Sequence, residues 1–278
     1  MNAAVTTADR PPPIADLARC LACASALGGS GACPGCGRRQ ATEGGILAAV
    51  GPLSGNNRVA AGFYDGPGWA RFRPWERLFL RLVGGRVRAR GEILRHLPDR
   101  PEGRVLEVGI GDGENLDLLP RGWAAYGVDL ARAQLAACLR RDPAMADRLA
   151  LAEGEALPFP DATFDACYSV GGFNYFRDPA AALAEMRRVT RPDGVVVVAD
   201  ERPDLKRYGL GHRIGLPAFD AWWMRLVGLP ADFVAMVRAT EIDPDALLGL
   251  LSPSSRKLTI WKGLGYVLID RDPSRRRP

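Results

Sequence analysis

Two groups of residues in this chain have the types and spacing to do chemistry. The first is Glu107-Val108-Gly109-Ile110-Gly111-Asp112-Gly113. Glycines at this spacing let the backbone turn sharply and come close to a ligand at the switch point of an open sheet. Loops that hold a pyrophosphate against a helix start share that description. This one has acidic residues on both sides, Glu107 and Asp112, and no Lys or Arg within it. It therefore suits a sulfonium ligand bearing an ammonium group better than a phosphate. Further along, Tyr126-Gly127-Val128-Asp129-Leu130 sets a carboxylate where it can accept both hydroxyls of a ribose, and Glu153-Gly154-Glu155 follows a third apolar stretch.

The second group is Cys20-Leu21-Ala22-Cys23 with Cys33-Pro34-Gly35-Cys36, two C-x-x-C knuckles separated by nine residues. Four thiolates at this spacing can close a tetrahedral site around zinc, as in a zinc ribbon. Cys20, Cys23, Cys33 and Cys36 would fill all four positions, so the metal would be structural and not catalytic. Cys138 and Cys167 stand apart, in a predicted helix and strand, and read as packing residues.

The elements that must position these groups follow from the apolar pattern. Short apolar runs at Arg104–Val108, Ala124–Val128, Leu149–Ala152, Phe164–Ser169 and Val195–Ala199 alternate with helical stretches near Glu114–Leu119, Ala131–Arg140 and Pro179–Thr190. That alternation predicts an α/β fold with a parallel sheet and crossover helices. The last helix should stop at the turn sequence Arg191-Pro192-Asp193-Gly194, and Leu258–Ile260 with Tyr266–Ile269 should form a closing hairpin. The expected organisation is a disordered tail over 1–13, a zinc ribbon over 14–51 and a bridging helical region over 52–101. A catalytic domain over 102–270, with a lid insertion at 205–251, then precedes a basic tail over 271–278.

Composition bounds the function. With 47% hydrophobic residues in 278 the chain has an ordinary core, and no run nears the ~18 apolar residues of a membrane span. Met1 to Arg10 lacks a basic segment followed by an apolar one, which points to the cytoplasm. Of the net charge of +5, three units sit in Arg275-Arg276-Arg277, so polyanion binding is weakly signalled.

Taken together, the run from Val105 to Asp200 resembles the class I S-adenosylmethionine-dependent methyltransferases. It is most similar to the ubiquinone and menaquinone biosynthesis C-methyltransferase family, the methyltransferase type 11 domain. The resemblance rests on Leu106-Glu107-Val108-Gly109 with Gly111 and Gly113, on Gly127-Val128-Asp129, and on Glu155-Ala156-Leu157-Pro158-Phe159. Phe164-Asp165, and Glu185 to Val189 through Gly194, complete it. It implies a Rossmann-like seven-stranded sheet with a small N-terminal zinc ribbon, and S-adenosylmethionine plus structural zinc as cofactors. It also implies a donor site of Glu107, Gly109, Gly111, Gly113, Asp129, Leu130, Glu153, Gly154 and Ser169. Glu107 and Gly109 would lie near the methionine part, Asp129 on the ribose, and Glu153 and Gly154 by the adenine. Val59 to Asp65 resembles the donor-covering segment of many such enzymes, which adds Tyr64. Two departures stand out: Glu153-Gly154 replaces an aspartate followed by a small residue, and Phe173 replaces an arginine before Asn174. Glu43 to Leu47 resembles the strand ending the ribbon in methyltransferases with a ribbon fused in front, some acting on ribosomal RNA and others on small molecules.

The acceptor should sit beyond the carboxyl ends of the fourth and fifth strands, which nominates Asn174, Asp200 and His212 as catalytic candidates. An Asn-Pro-Pro-Tyr-type tetrad after strand four is missing, which argues against methylation of DNA adenine or protein glutamine. Apolar side chains of the 205–251 insertion could line a pocket for a lipid-like or aromatic small molecule, or touch a membrane surface. Eight arginines between Trp69 and Arg95 allow an alternative, an RNA-base methyltransferase, although an amphipathic helix with a solvated basic face is the better reading of them. A catalytically inactive binding module is the other alternative, and the oligomeric state is left open.

Overall fold

The computed structural model describes residues 11–27, 32–204, 211 and 214–271. Nine strands form one sheet: β1 (Thr42–Glu43), β2 (Ile46–Ala48), β3 (Gly103–Val108), β4 (Trp123–Asp129), β5 (Leu149–Leu151), β6 (Phe164–Val170), β7 (Thr190–Glu201), β8 (Arg256–Ile260) and β9 (Gly265–Asp270). Their order is β1-β2-β5-β4-β3-β6-β7-β9-β8. The five central strands pair parallel, and β9 joins β7 and β8 antiparallel. This is a Rossmann-like α/β sheet, with its switch point between β3 and β6, where the order reverses. Every residue of β6 and β9 is buried, as in strands covered on both faces, which explains why apolar side chains predominate in both without a period-two alternation.

The helices are α1 (Ile14–Leu17), α2 (Gly55–Asp65), α3 (Pro67–Leu82), α4 (Arg86–Leu94), α5 (Arg132–Arg141), α6 (Pro179–Val189), α7 (Pro217–Leu226), α8 (Ala231–Ala239) and α9 (Pro244–Gly249). Among the described residues none is long and apolar enough to cross a membrane. Helix α6 begins as its sequence dictates: Asp178 accepts the Ala181 N–H, Pro179 opens the first turn, and Ala182, Leu183, Met186 and Val189 bury one face.

Three local features differ from the sequence-based expectation. The sheet has nine strands because the cysteine segment adds two: β1 and β2 form a hairpin, and β2 pairs parallel with β5. Ile14, Cys20, Cys33 and Leu47 consequently share one hydrophobic cluster with the sheet residues Leu106, Val108 and Ala150. Between Glu114 and Leu119 only one 3-10 turn forms, at Leu116–Leu118. There Asn115 turns inward to donate to Glu107, and Pro120 lies just beyond. Finally, Arg191 to Gly194 enters β7 instead of forming a separate turn, with a register shift opposite Phe164 and Ala166. A Cβ at Gly194 would stand 2.5 Å from the Asp165 carbonyl oxygen, so only glycine allows this approach.

Candidate active site

The glycine loop leaves the end of β3 with Gly109, Gly111 and Gly113 at φ of 77°, 57° and 75°, the left-handed region that glycine enters without penalty. Gly109 and Ile110 both donate N–H to the Val128 carbonyl, which ties the loop to β4. At position 127 a Cβ would come within 2.3 Å of Ile110, so the loop rests directly on the β4 backbone. Asp129 completes the frame: one carboxylate oxygen accepts Gly111 N–H at 2.8 Å, the other Ala131 N–H at 2.8 Å.

Below the loop lies a cleft of about 1350 Å³ including its open mouth, lined by Tyr64, Glu107, Gly109, Gly111, Asp129, Leu130 and Gly154 among the expected donor residues. Glu107 is buried and accepts from Asn115 Nδ2 at 2.5 Å and from the Tyr168 hydroxyl at 2.8 Å. Burial pushes its carboxyl up to about 7, against the pull of those two donors. Burial likewise raises Asp129 to about 6, opposed by the N–H groups of Ala131 and Gly111. The Asn115 Oδ1 is buried with no partner among the described residues and lines the same wall as Glu107. An unmet acceptor beside a buried carboxylate is a receptor for N–H donors carrying positive charge.

The remaining predicted residues are placed differently. Gly113 faces Cys138 and Leu116 and shapes the loop's exit. Glu153 accepts from Asn57 Nδ2 at 3.1 Å and pairs with Arg177 at 3.4 Å, so its side chain holds α2 in place and does not line the cleft. The Ser169 hydroxyl is buried beneath the loop with no described partner, 3.9 Å from where a Gly109 Cβ would be. Asp112, expected to act on a cationic ligand, is instead met by Arg73 and, at 3.2 Å, by Arg141. The amide of Asn174 donates to the Glu201 carbonyl at 2.8 Å and accepts from the Tyr266 hydroxyl at 2.9 Å, while Asp200, fully buried, accepts Asn174 N–H. Both residues brace the end of β7 and lie outside the cleft lining. His212 lies outside the described residues.

Sequence reasoning missed the far wall of the cleft, which α3 and α4 supply: Trp69, Phe72, Glu76, Phe79 and Arg90, with Trp261 packed edge-on against Phe79 and donating its indole N–H to the Ala89 carbonyl. Glu76 is the only acid of α3, a signal that could have been read. Burial lifts its carboxyl to about 7, partly offset by Arg90, whose Nη2 stands 3.4 Å away. Arg90 is itself buried, and its Nε has no described partner. Helices α2 and α3 line the cleft, and no described residue of the 205–251 insertion does. Helix α8 packs behind them instead, with Phe233 4.2 Å from Phe63 and 5.1 Å from Tyr175, ring centre to ring centre.

The four cysteines come together as their spacing predicted. Their sulfurs all lie within 4.8 Å of one another, with Cys20 to Cys36 at 3.7 Å and Cys23 to Cys33 at 3.3 Å. A tetrahedral site with metal–sulfur bonds of about 2.3 Å sets its sulfurs about 3.8 Å apart, so the cluster fits a metal ion. The two knuckles repeat one local fold: Ala24 and Gly37, each the residue after a knuckle's second cysteine, have positive φ and donate N–H to the first cysteine's carbonyl.

Part of the chain is similar to known proteins. Residues 106–198 match a family model described as a methyltransferase domain. A demethylmenaquinone methyltransferase of Thermus thermophilus is 36% identical over 117 residues, which are 40% of this chain and 53% of that protein. A malonyl-[acyl-carrier protein] O-methyltransferase of Halorhodospira halophila is 35% identical over 128 residues, 45% of this chain and 42% of that protein. The chain thus spans about half the length of the curated relatives it matches. Among solved structures, the YcgJ protein of Bacillus subtilis aligns with a TM-score of 0.43 at 18% identity, covering 66% of this chain and 97% of that one.

Proposed function

We propose that this chain, whose residues 106–198 match a methyltransferase domain, transfers a methyl group from S-adenosylmethionine to a small apolar, aromatic or lipid-like acceptor. The observation that carries the reading is Glu107 with the unmet Asn115 oxygen, set beside the glycine loop and Asp129 in one cleft. The donor's ammonium pairs with Glu107 and Asn115, its ribose with Asp129, and its adenine lies by Gly154, where a Cβ would stand 2.9 Å from Phe176. Tyr64 closes over it, held by α2, whose Asp65 accepts Ala133 N–H at 2.7 Å. The sulfonium brings an already activated methyl, so alignment of the acceptor does much of the work.

On the acceptor side, Trp69, Phe72, Phe79 and Trp261 offer apolar surface, and Glu76 with Arg90 the polar contact. A carboxyl near neutrality can take the proton of an acceptor that must lose one, which makes Glu76 the proposed base in place of Asp200. The relatives' printed acceptors, demethylmenaquinone, malonyl-acyl carrier protein and fatty acids, share apolar or acyl character with that wall. Incubation with labelled donor and fractionated cell extract tests the reading: label should enter solvent-extractable small molecules or lipids, and label confined to RNA would overturn it. The Glu76→Gln variant should bind donor normally and transfer methyl at least tenfold more slowly to an acceptor that must lose a proton.

Zinc bound by Cys20, Cys23, Cys33 and Cys36 would brace the β1–β2 hairpin against β5. The protein as purified should contain about one zinc per chain by elemental analysis. A Cys23→Ser, Cys36→Ser double variant should lose it and unfold several degrees lower, because Cys20 and Cys33 belong to the main core cluster. Full zinc occupancy in that variant would remove the assignment.

A further inference from the structure

Helix α3 has two faces that do different things. Trp69, Phe72, Glu76 and Phe79, at helical spacing, form the wall of the cleft. A neighbouring, outward face exposes Trp75, Leu78 and Leu82, the last 65% accessible. Helix α7 continues this surface: its Trp223 meets Trp75 edge to face at 5.4 Å, and Trp222 and Leu226 are exposed beside it. Large apolar side chains grouped across two adjacent helices are not an ordinary surface.

The exposed charges on these helices have one sign. Arg71, Arg77 and Arg81 on α3 and Arg225 on α7 are exposed. The two acids they carry are turned away, Glu76 into the cleft wall and Asp220 buried, accepting Gly211 N–H. Tryptophan and leucine on a face fringed by arginines, without an exposed carboxylate, match the interface of a bilayer that carries negative headgroups. A protein partner of mixed charge would call for acids as well.

We infer that the shared outer face of α3 and α7 docks on an anionic lipid bilayer, so that a membrane-dissolved acceptor reaches the cleft past the helix that both surfaces share. This deepens the proposed function by naming the phase from which the acceptor comes, and it rests on that reading.

Co-sedimentation of the full chain with phosphatidylcholine vesicles containing 30% phosphatidylglycerol, against pure phosphatidylcholine, tests it, with donor binding followed separately by calorimetry. Partition should favour the anionic vesicles and weaken as salt rises. An Arg77→Glu, Arg81→Glu variant should lose at least tenfold in partition, since each cation near such a surface is worth about fivefold. A Trp222→Ser, Leu226→Ser variant should lose a similar amount, and both variants should keep the parent's donor affinity. Equal partition of parent and variants, or a parent that stays in the supernatant, overturns the inference. A concentration-dependent dimer abolished by Trp222→Ser, Leu226→Ser, without vesicle binding, would give the face to a second copy and also overturn it. Failure of donor binding in the parent would instead strike at the proposed function.

Discussion

Replacing Asp129 by alanine should weaken S-adenosylmethionine binding by about a hundredfold or more, roughly 2.7 kcal/mol, as measured by calorimetry. The size of the effect comes from a double duty. The carboxylate already accepts the N–H groups of Gly111 and Ala131, each at 2.8 Å, and so fixes the loop against the start of α5. A carboxylate has about four acceptor positions, so the lone pairs left over remain available for the ribose hydroxyls. Alanine removes both roles together, and each charge-assisted hydrogen bond is worth about 1.5–3 kcal/mol. Asparagine should rescue little, although it has the same shape. Its amide accepts on one side only, and its NH₂ would face one of the two backbone N–H groups. Amide exchange should accelerate at both Gly111 and Ala131 in the alanine variant, and at one of the two in the asparagine variant. An Asp129→Ala protein that binds donor within fivefold of the parent would show that the carboxylate frames the loop without touching the ligand.

How much of this site could be read from sequence depended on how local its determinants are. The strand ends at Val108 and Asp129 were legible because a buried parallel strand is a short apolar run, and glycine or an acid marks where it meets the loop. The cysteine cluster was legible because two knuckles encode their own turns. The far wall of the cleft was not, because it comes from helices well upstream. Glu76 meets Arg90 across a helix junction, and Arg73 reaches Asp112 over 39 residues of chain. That last pairing also reverses a reading: Asp112 lies beside the glycines in sequence, but two arginines occupy it, and Asn115, which had no obvious signal, turns toward Glu107 in its place. Four of the eight arginines between Trp69 and Arg95, namely Arg73, Arg86, Arg88 and Arg90, form ion pairs within the protein, so the segment is less of a polyanion surface than its composition suggests. Joining of β2 to β5 was equally hidden, since parallel pairing between distant segments leaves no pattern in either strand alone.

Glu107 should make the ligand-free protein lose stability as pH rises toward neutrality, and the bound donor should compensate. Its carboxyl sits at about 7 in the fold because burial penalises the charged form, whereas in the unfolded chain it titrates in the ordinary carboxylate range. An acid with a raised folded pKa binds more protons folded than unfolded between those two values. Its contribution is therefore fully present below the unfolded value and is lost as pH climbs to about 7. For this group the loss is about 3 kcal/mol, or about 6–12 °C of thermal midpoint for a domain of this size. Asp129 and Glu76, raised to about 6 and about 7, titrate in the same window, so the informative quantity is the difference from Glu107→Gln, which keeps the shape without the proton. Between pH 5 and 7.5 the parent's midpoint should fall more steeply than that variant's. A cationic donor favours the ionised carboxylate, so its affinity for the parent should rise through the same window, with proton release, and level off above it. The Glu107→Gln protein should bind donor more weakly at neutral pH and with a flatter profile. Equal slopes in parent and variant, or an affinity that falls as pH rises from 5 to 7, would show that the ammonium is held elsewhere.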